Sequence, residues 1–126
     1  DQFSIGGPAI TLSPRISQSF MMAFHELGTN AGKYGALSKP QGRVSIDWNV
    51  SGEGQTQMFE LTWCESDGPA VTKPERTGFG TRLINKLLSA EPKAKAAIEY
   101  DPAGLVWKIS TPPHHLSQGR DRVPAF

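Results

Sequence analysis

"HELGTNAGKYGALS", residues 25–38, places a carboxylate, an amide and an amine along a helical pattern and then stops at a glycine. Glu26, Asn30 and Lys33 follow one another at helical spacing, so they share one side of a helix. A packed core has no use for that polar row, whereas a magnesium-bound polyphosphate does. The apolar residues around it fix where the row stands. Ile16, Phe20, Ala23, Phe24, Leu27 and Ala31 recur at spacings of three, four and seven, a stripe that must face a core. Ser13-Pro14 gives an N-cap with proline at the first helical position. Gly35 is expected to end the helix in a left-handed conformation. At about 100° per residue the polar row is centred roughly 100° from the apolar stripe. It lies beside the core, neither in it nor opposite it.

Outward from the helix, residues 3–12 read as a short extended segment. "RVSIDWNV" alternates Val44, Ile46, Trp48 and Val50 with polar partners, "MFELTWCE" alternates Phe59, Leu61 and Trp63, and "SGEGQ" between them is a hairpin turn. A loop rich in Gly, Pro and charge covers 66–77, after which "GFGTRLINKLLSAE" carries Leu83, Ile84, Leu87 and Leu88 at helical spacing. "KAAIEYD", the turn "PAG" and "LVWKIS" form another hairpin, and "PPHHLSQGRDRVPAF" has no periodicity. The pattern predicts an α+β fold, a two-layer sandwich with helices on one face of a mostly antiparallel mixed sheet. Residues 1–112 are expected to form one domain and 113–126 a mobile tail.

A chain of 126 residues, 37% hydrophobic, suffices for one domain with its own core. Thirteen basic residues against 12 acidic ones, spread along the chain, leave no basic stripe for a phosphate backbone, which argues against nucleic acid as a partner. No apolar run approaches the roughly 20 residues that span a bilayer, so direct membrane insertion is not expected. "DQFSIGGPAI" lacks the basic and apolar regions of a signal peptide. The single cysteine, Cys64, cannot form an internal disulfide and reads as a small core or face residue of its strand. A cytoplasmic setting fits. A start on strand-like sequence without an initiator methionine is expected of a piece cut from a larger protein, such as a receptor.

Three segments carry chemistry. Asn30 offers a neutral oxygen and Glu26 a carboxylate on the same face, which suits magnesium, an ion that keeps several waters and takes few protein groups plus substrate phosphates. Lys33, one turn on, can hold a phosphate. A solvated face with an ordinary Glu–Lys pair explains the same spacing. "WCESDGP" puts Glu65 at the end of a buried-type strand with Asp67-Gly68-Pro69 turning the chain, where a carboxylate can accept the exocyclic amine of adenine. "TGFGTRL" sets Gly78 and Gly80 ahead of a helix, where bare N–H groups and the helix dipole attract phosphate oxygens. A tight structural turn explains the glycines alone equally well.

These segments resemble a family. "HELGTNAGKYGALS" is similar to the N box of the GHKL ATPases, and His25 together with the later Trp63-x-Glu65 resembles the HWE subgroup of bacterial sensor histidine kinases. The likeness runs from "GPAITLSPR" to "EYDPAGLVWKI". It implies the Bergerat fold and the catalytic, ATP-binding half of a two-component histidine kinase, with ATP as substrate and Mg2+ beside it. It implies Asn30 as metal ligand, with Glu26 as the polarising or general-base carboxylate near the metal. Lys33 would be a phosphate contact and Tyr34 a wall of the nucleotide pocket. Glu65 or Asp67, with Gly68 beside them, would read adenine, and the glycine segment of Gly78, Phe79, Gly80, Thr81, Arg82 and Leu83 would lie at the phosphates. The implied partners are a phosphoacceptor histidine domain of the same or another chain and a downstream response regulator.

The sequence departs from the family in two places. An Asp followed closely by G-x-G is absent, so either acid can be the adenine acceptor, with Glu65 matching the subgroup. Residues 66–77 are short for a lid over ATP, and Lys73 and Arg76 are either phosphate contacts or solubilising charges. His25 points roughly 150° from the apolar stripe and away from Asn30, and reads as a supporting residue. His114 and His115 have no nearby acid in the sequence and read as bystanders. The substrate histidine is then expected on a separate domain. A nucleotide-binding regulatory module without turnover and another GHKL ATPase are the alternatives; intact Glu26 and Asn30 weigh against the first and the HWE residues against the second.

Overall fold

Ser13 begins the long helix as its sequence requires. It sits at φ −67°, ψ 156°, its hydroxyl accepts from the Ile16 N–H at 3.2 Å, and Pro14 follows at the first helical turn. Helix α1 runs Pro14–Lys33 and buries Ile16, Ser19, Phe20, Ala23, Leu27 and Ala31. The computed structural model describes residues 2–71, 82, 85, 86, 89 and 91–117.

The helix covers one face of a five-stranded sheet. Its strands are β1 (Phe3–Gly6), β2 (Arg43–Ser51), β3 (Met58–Ser66), β4 (Lys95–Asp101) and β5 (Gly104–Thr111), in the order β1-β2-β3-β5-β4. The β2–β3, β3–β5 and β4–β5 pairs are antiparallel and β1–β2 is parallel, the mixed sheet expected from the patterning. Alternation turns Val44 and Ile46 of β2, and Phe59, Leu61 and Trp63 of β3, toward α1, where all are buried. The register pairs Trp63 with Trp107, which are 2% and 1% exposed, at the centre of this layer. Phe24 of α1 stacks on Phe20 and Trp63, with centroids 6.0 and 6.2 Å away, and meets Trp107 edge-on at 6.2 Å. Fully burying one such side chain stabilises by roughly 1.5–3 kcal/mol, so the aromatic cluster is a main tie between helix and sheet. Cys64, on the other face of β3, is half-buried.

Two expectations need correction. Gly35 does not end α1 in a left-handed conformation; its φ is −115° and ψ −149°. The helix stops at Lys33, the Tyr34 and Gly35 N–H groups reach back to the Asn30 and Ala31 carbonyls at 2.8 and 3.0 Å, and a 3-10 turn, Ala36–Ser38, follows. The second correction concerns the expected mobile tail at 113–126. Pro113–Ser117 forms a short helix, α2, whose Leu116 is 0% exposed, and the Leu116 carbonyl accepts from the Ser13 N–H at 2.8 Å. The remaining tail, 118–126, lies outside the described residues. A single apolar residue gives no period to detect, yet it closes the core under the start of α1. In the expected second helix, Arg82, Asn85 and Lys86 are helical and exposed, while the glycine pair before them lies outside the described residues.

Candidate functional site

Strand alternation carries Glu65 to the inner face of β3, one step beyond Phe59, Leu61 and Trp63, and leaves it 5% exposed. A carboxylate in that position needs donors. It has two: the Ala36 N–H donates to Oε1 at 3.1 Å, and the Trp63 indole N–H donates to Oε2 at 3.0 Å. Glu65 therefore ties the end of β3 to the segment that follows α1. The glycines here are explained by that contact. A Cβ on Gly35 would fall on Glu65 Oε1 and lie 3.1 Å from the Ala31 Cα, and one on Gly68 would come within 2.5 Å of the Ala36 Cα.

Gly35→Ala is accordingly expected to push the Glu65 carboxylate off the Ala36 N–H. Leaving that buried donor unpaired costs about 1–3 kcal/mol, read as a lower urea midpoint at unchanged m-value. Wild-type stability in this variant would mean that the helix end moves aside freely.

Asp67, the other candidate acid, is exposed just past β3 with φ 60°, a left-handed conformation that Asp tolerates better than most residues. Glu26 is half-buried on α1, while Asn30, Lys33 and Tyr34 are exposed at its C-terminal end, Tyr34 at 72%. The charge of Glu26 acts on a residue that sequence reasoning missed. Tyr100 shares the inner face of β4 with Ile98, and its phenol is pushed above its ordinary 10.0 by burial and then by the negative charge of Glu26. The phenol stays neutral, beside the helix row.

The structure thus joins Glu65, Gly68 and the 34–36 segment directly and brings the charge of Glu26 to bear on Tyr100 of β4. Arg82 is exposed; Gly78, Phe79, Gly80, Thr81 and Leu83, with Lys73 and Arg76, lie outside the described residues. His25 is exposed, and its carbonyl accepts from the Thr29 hydroxyl at 2.8 Å. His114 does have an acid nearby, contrary to its sequence surroundings: its Nε2 is 3.6 Å from a Glu91 oxygen. Among the described residues no group of three or more His, Cys, Asp or Glu can hold a metal ion by itself. The pair Glu26 and Asn30 still fits magnesium, which takes few protein oxygens when phosphates supply the rest. No helix among the described residues is long and apolar enough to cross a membrane. The missed Trp63–Glu65 bond had a signal in the sequence, since residues two apart on a strand stand side by side on one face.

No family model matches the chain. It is 38% identical over 112 residues to a blue-light-activated histidine kinase of Brucella ovis, an alignment covering 89% of the chain and 23% of that relative. It is 42% identical over 106 residues to one of Brucella anthropi, covering 84% and 22%. The chain thus spans about a quarter of the length of these curated relatives. In fold it is similar to the histidine kinase domain of a blue-light-activated histidine kinase from Erythrobacter litoralis, with TM-score 0.63, 14% identity, and 96% of this chain and 54% of that one covered. It is also similar to the catalytic domain of the histidine kinase ThkA, with TM-score 0.57, 16% identity, and coverage of 89% and 79%. ThkA was solved, too, in complex with the response regulator protein TrrA; there the TM-score is 0.56, with 17% identity, and coverage of 90% and 34%.

Proposed function

We propose, from the premise that the chain belongs to the histidine kinases as a GHKL-type ATP-binding domain with the HWE residues, that it binds ATP with magnesium and transfers the γ-phosphoryl group to a histidine on a separate phosphoacceptor domain. The observation that carries this reading is the buried Glu65 carboxylate, tied to the turn that follows the helix holding Glu26 and Asn30.

In this reading Glu65 accepts the exocyclic amine of adenine and Asp67 stays in solvent at the rim. The Asn30 amide oxygen is the protein's ligand to magnesium, with Glu26 beside it, and Lys33 and Arg82 neutralise phosphate charge. Held there, magnesium would offset the negative charge that develops on the phosphates. Tyr34 flanks the nucleotide. Glu26 draws the proton of the incoming imidazole toward itself as the new N–P bond forms and the bond to the β-phosphate oxygen breaks, releasing ADP. Catalysis is otherwise positioning. The phosphorylated histidine then serves a response regulator, and the whole assembly works in the cytoplasm.

Labelled ATP added to the chain together with a separately made phosphoacceptor domain tests the transfer; absence of label on the acceptor would sink it. Calorimetry tests the site. ATP binding is expected to weaken at least tenfold when magnesium is chelated, and Asn30→Ala should remove that dependence. Asn30 is exposed, so its replacement should shift stability by no more than about 0.5 kcal/mol. Equal ATP affinity with and without chelator in the unmodified chain would remove Asn30 from the metal.

A further inference from the structure

Glutamate is an awkward base reader. Its side chain has one more rotatable bond than aspartate, and that freedom must be lost before the carboxylate can select a ligand. The structure removes it with two donors. Oε1 takes the Ala36 N–H at 3.1 Å and Oε2 the Trp63 indole N–H at 3.0 Å, so each oxygen is fixed once. A carboxylate offers about four lone-pair sites, which leaves two for a ligand. The indole cannot follow a moving carboxylate. Trp63 is 2% exposed, stacks on Phe24 with centroids 6.2 Å apart, meets Phe3 edge-on at 6.4 Å, and is paired in register with Trp107.

We infer that Trp63 is a positioning residue for base selection: its indole N–H, with the Ala36 amide, holds the Glu65 carboxylate so that the free lone pairs accept the 6-amino group of a purine. The inference rests on the proposed reading of Glu65 as the adenine acceptor and adds what makes that acceptor selective. A 6-oxo purine presents an acceptor to the same oxygens and is repelled; a purine with hydrogen at C6 gains nothing from them.

Site-specific replacement of Trp63 by β-(3-benzothienyl)alanine exchanges the N–H for sulfur at nearly constant ring volume. Trp63→Phe is the coarser companion. Dissociation constants for ATP and for purine riboside triphosphate, which lacks the 6-amino group, are measured on the 126-residue chain, on both variants and on Glu65→Ala. The preference for ATP should fall about fivefold in the isosteric variant, the worth of one hydrogen bond, with purine riboside triphosphate binding unchanged. Glu65→Ala should abolish the preference. Equal losses for both nucleotides in the isosteric variant would make Trp63 merely structural and overturn the inference. A preference lost in Glu65→Ala yet intact in the isosteric variant would overturn it while sparing the adenine reading. A preference surviving Glu65→Ala would overturn both.

Discussion

Glu26→Gln is expected to slow phosphoryl transfer to an added phosphoacceptor domain by roughly 10² or more while ATP affinity changes less than about twofold. That loss corresponds to about 2.7 kcal/mol of transition-state stabilisation. The amide keeps the shape of the carboxylate and much of its hydrogen bonding, but neither its charge nor its ability to draw off a proton. Binding, carried in the proposed site by Glu65, Asn30 and the cations, should hardly register the exchange. The neighbouring phenol gives an independent readout. Glu26 is the second cause, after burial, that raises Tyr100. Removing its charge should therefore bring the Tyr100 titration down toward the ordinary value without reaching it, and absorbance titration at alkaline pH reports that directly. An unchanged transfer rate, with Tyr100 moved as expected, would show that the charge was removed and was not needed. Positioning by Asn30 and the phosphates would then carry the reaction alone.

Leu116→Ala is expected to cost about 2–5 kcal/mol, the range for truncating a large apolar side chain in a closed core. Leu116 is 0% exposed and its carbonyl receives the Ser13 N–H at 2.8 Å, so the side chain seals the same corner that the backbone bond closes. A domain of this size has only about 5–15 kcal/mol of net stability, which makes the loss a large share of the whole. Urea unfolding measures it. A loss below about 1 kcal/mol in Leu116→Ala would mean that α2 rests on the core without helping to hold it.

The elements with strong local patterns were legible in the sequence. The apolar stripe of α1, its Ser13-Pro14 start, and the alternation in β2, β3, β4 and β5 each follow from a period or a cap, and each is present. What was not legible depends on partners far along the chain. The parallel seat of β1 against β2 is set by Val44 and Ile46, which lie about 40 residues from Phe3 and Ile5. Gly35 shows the same limit in one residue. Glycine after a helix suggests a left-handed turn, but here it makes room for a carboxylate on β3, and no local rule separates these causes. In the candidate site, Glu65 was legible as an acid at a strand end; its two donors were not, because one is a backbone amide 29 positions away. Tyr100 read only as a strand residue until the sheet order brought β4 beside α1.

The order β1-β2-β3-β5-β4 also has a kinetic meaning. Hairpins β2–β3 and β4–β5 each close locally, but the seam between them, where Phe59–Cys64 meets Val106–Thr111, joins residues a third of the chain or more apart. Such non-local closure slows folding, because the entropy of bringing the ends together is spent before the contacts form. Doubling the connector would add only about 0.6 kcal/mol to that entropy. The span between Ser66 and Lys95 can therefore grow or shrink between related proteins at little cost to stability, while the seam, with Trp63 against Trp107, keeps the two halves in register. Variation in the length of that span is thereby separated from the survival of the fold.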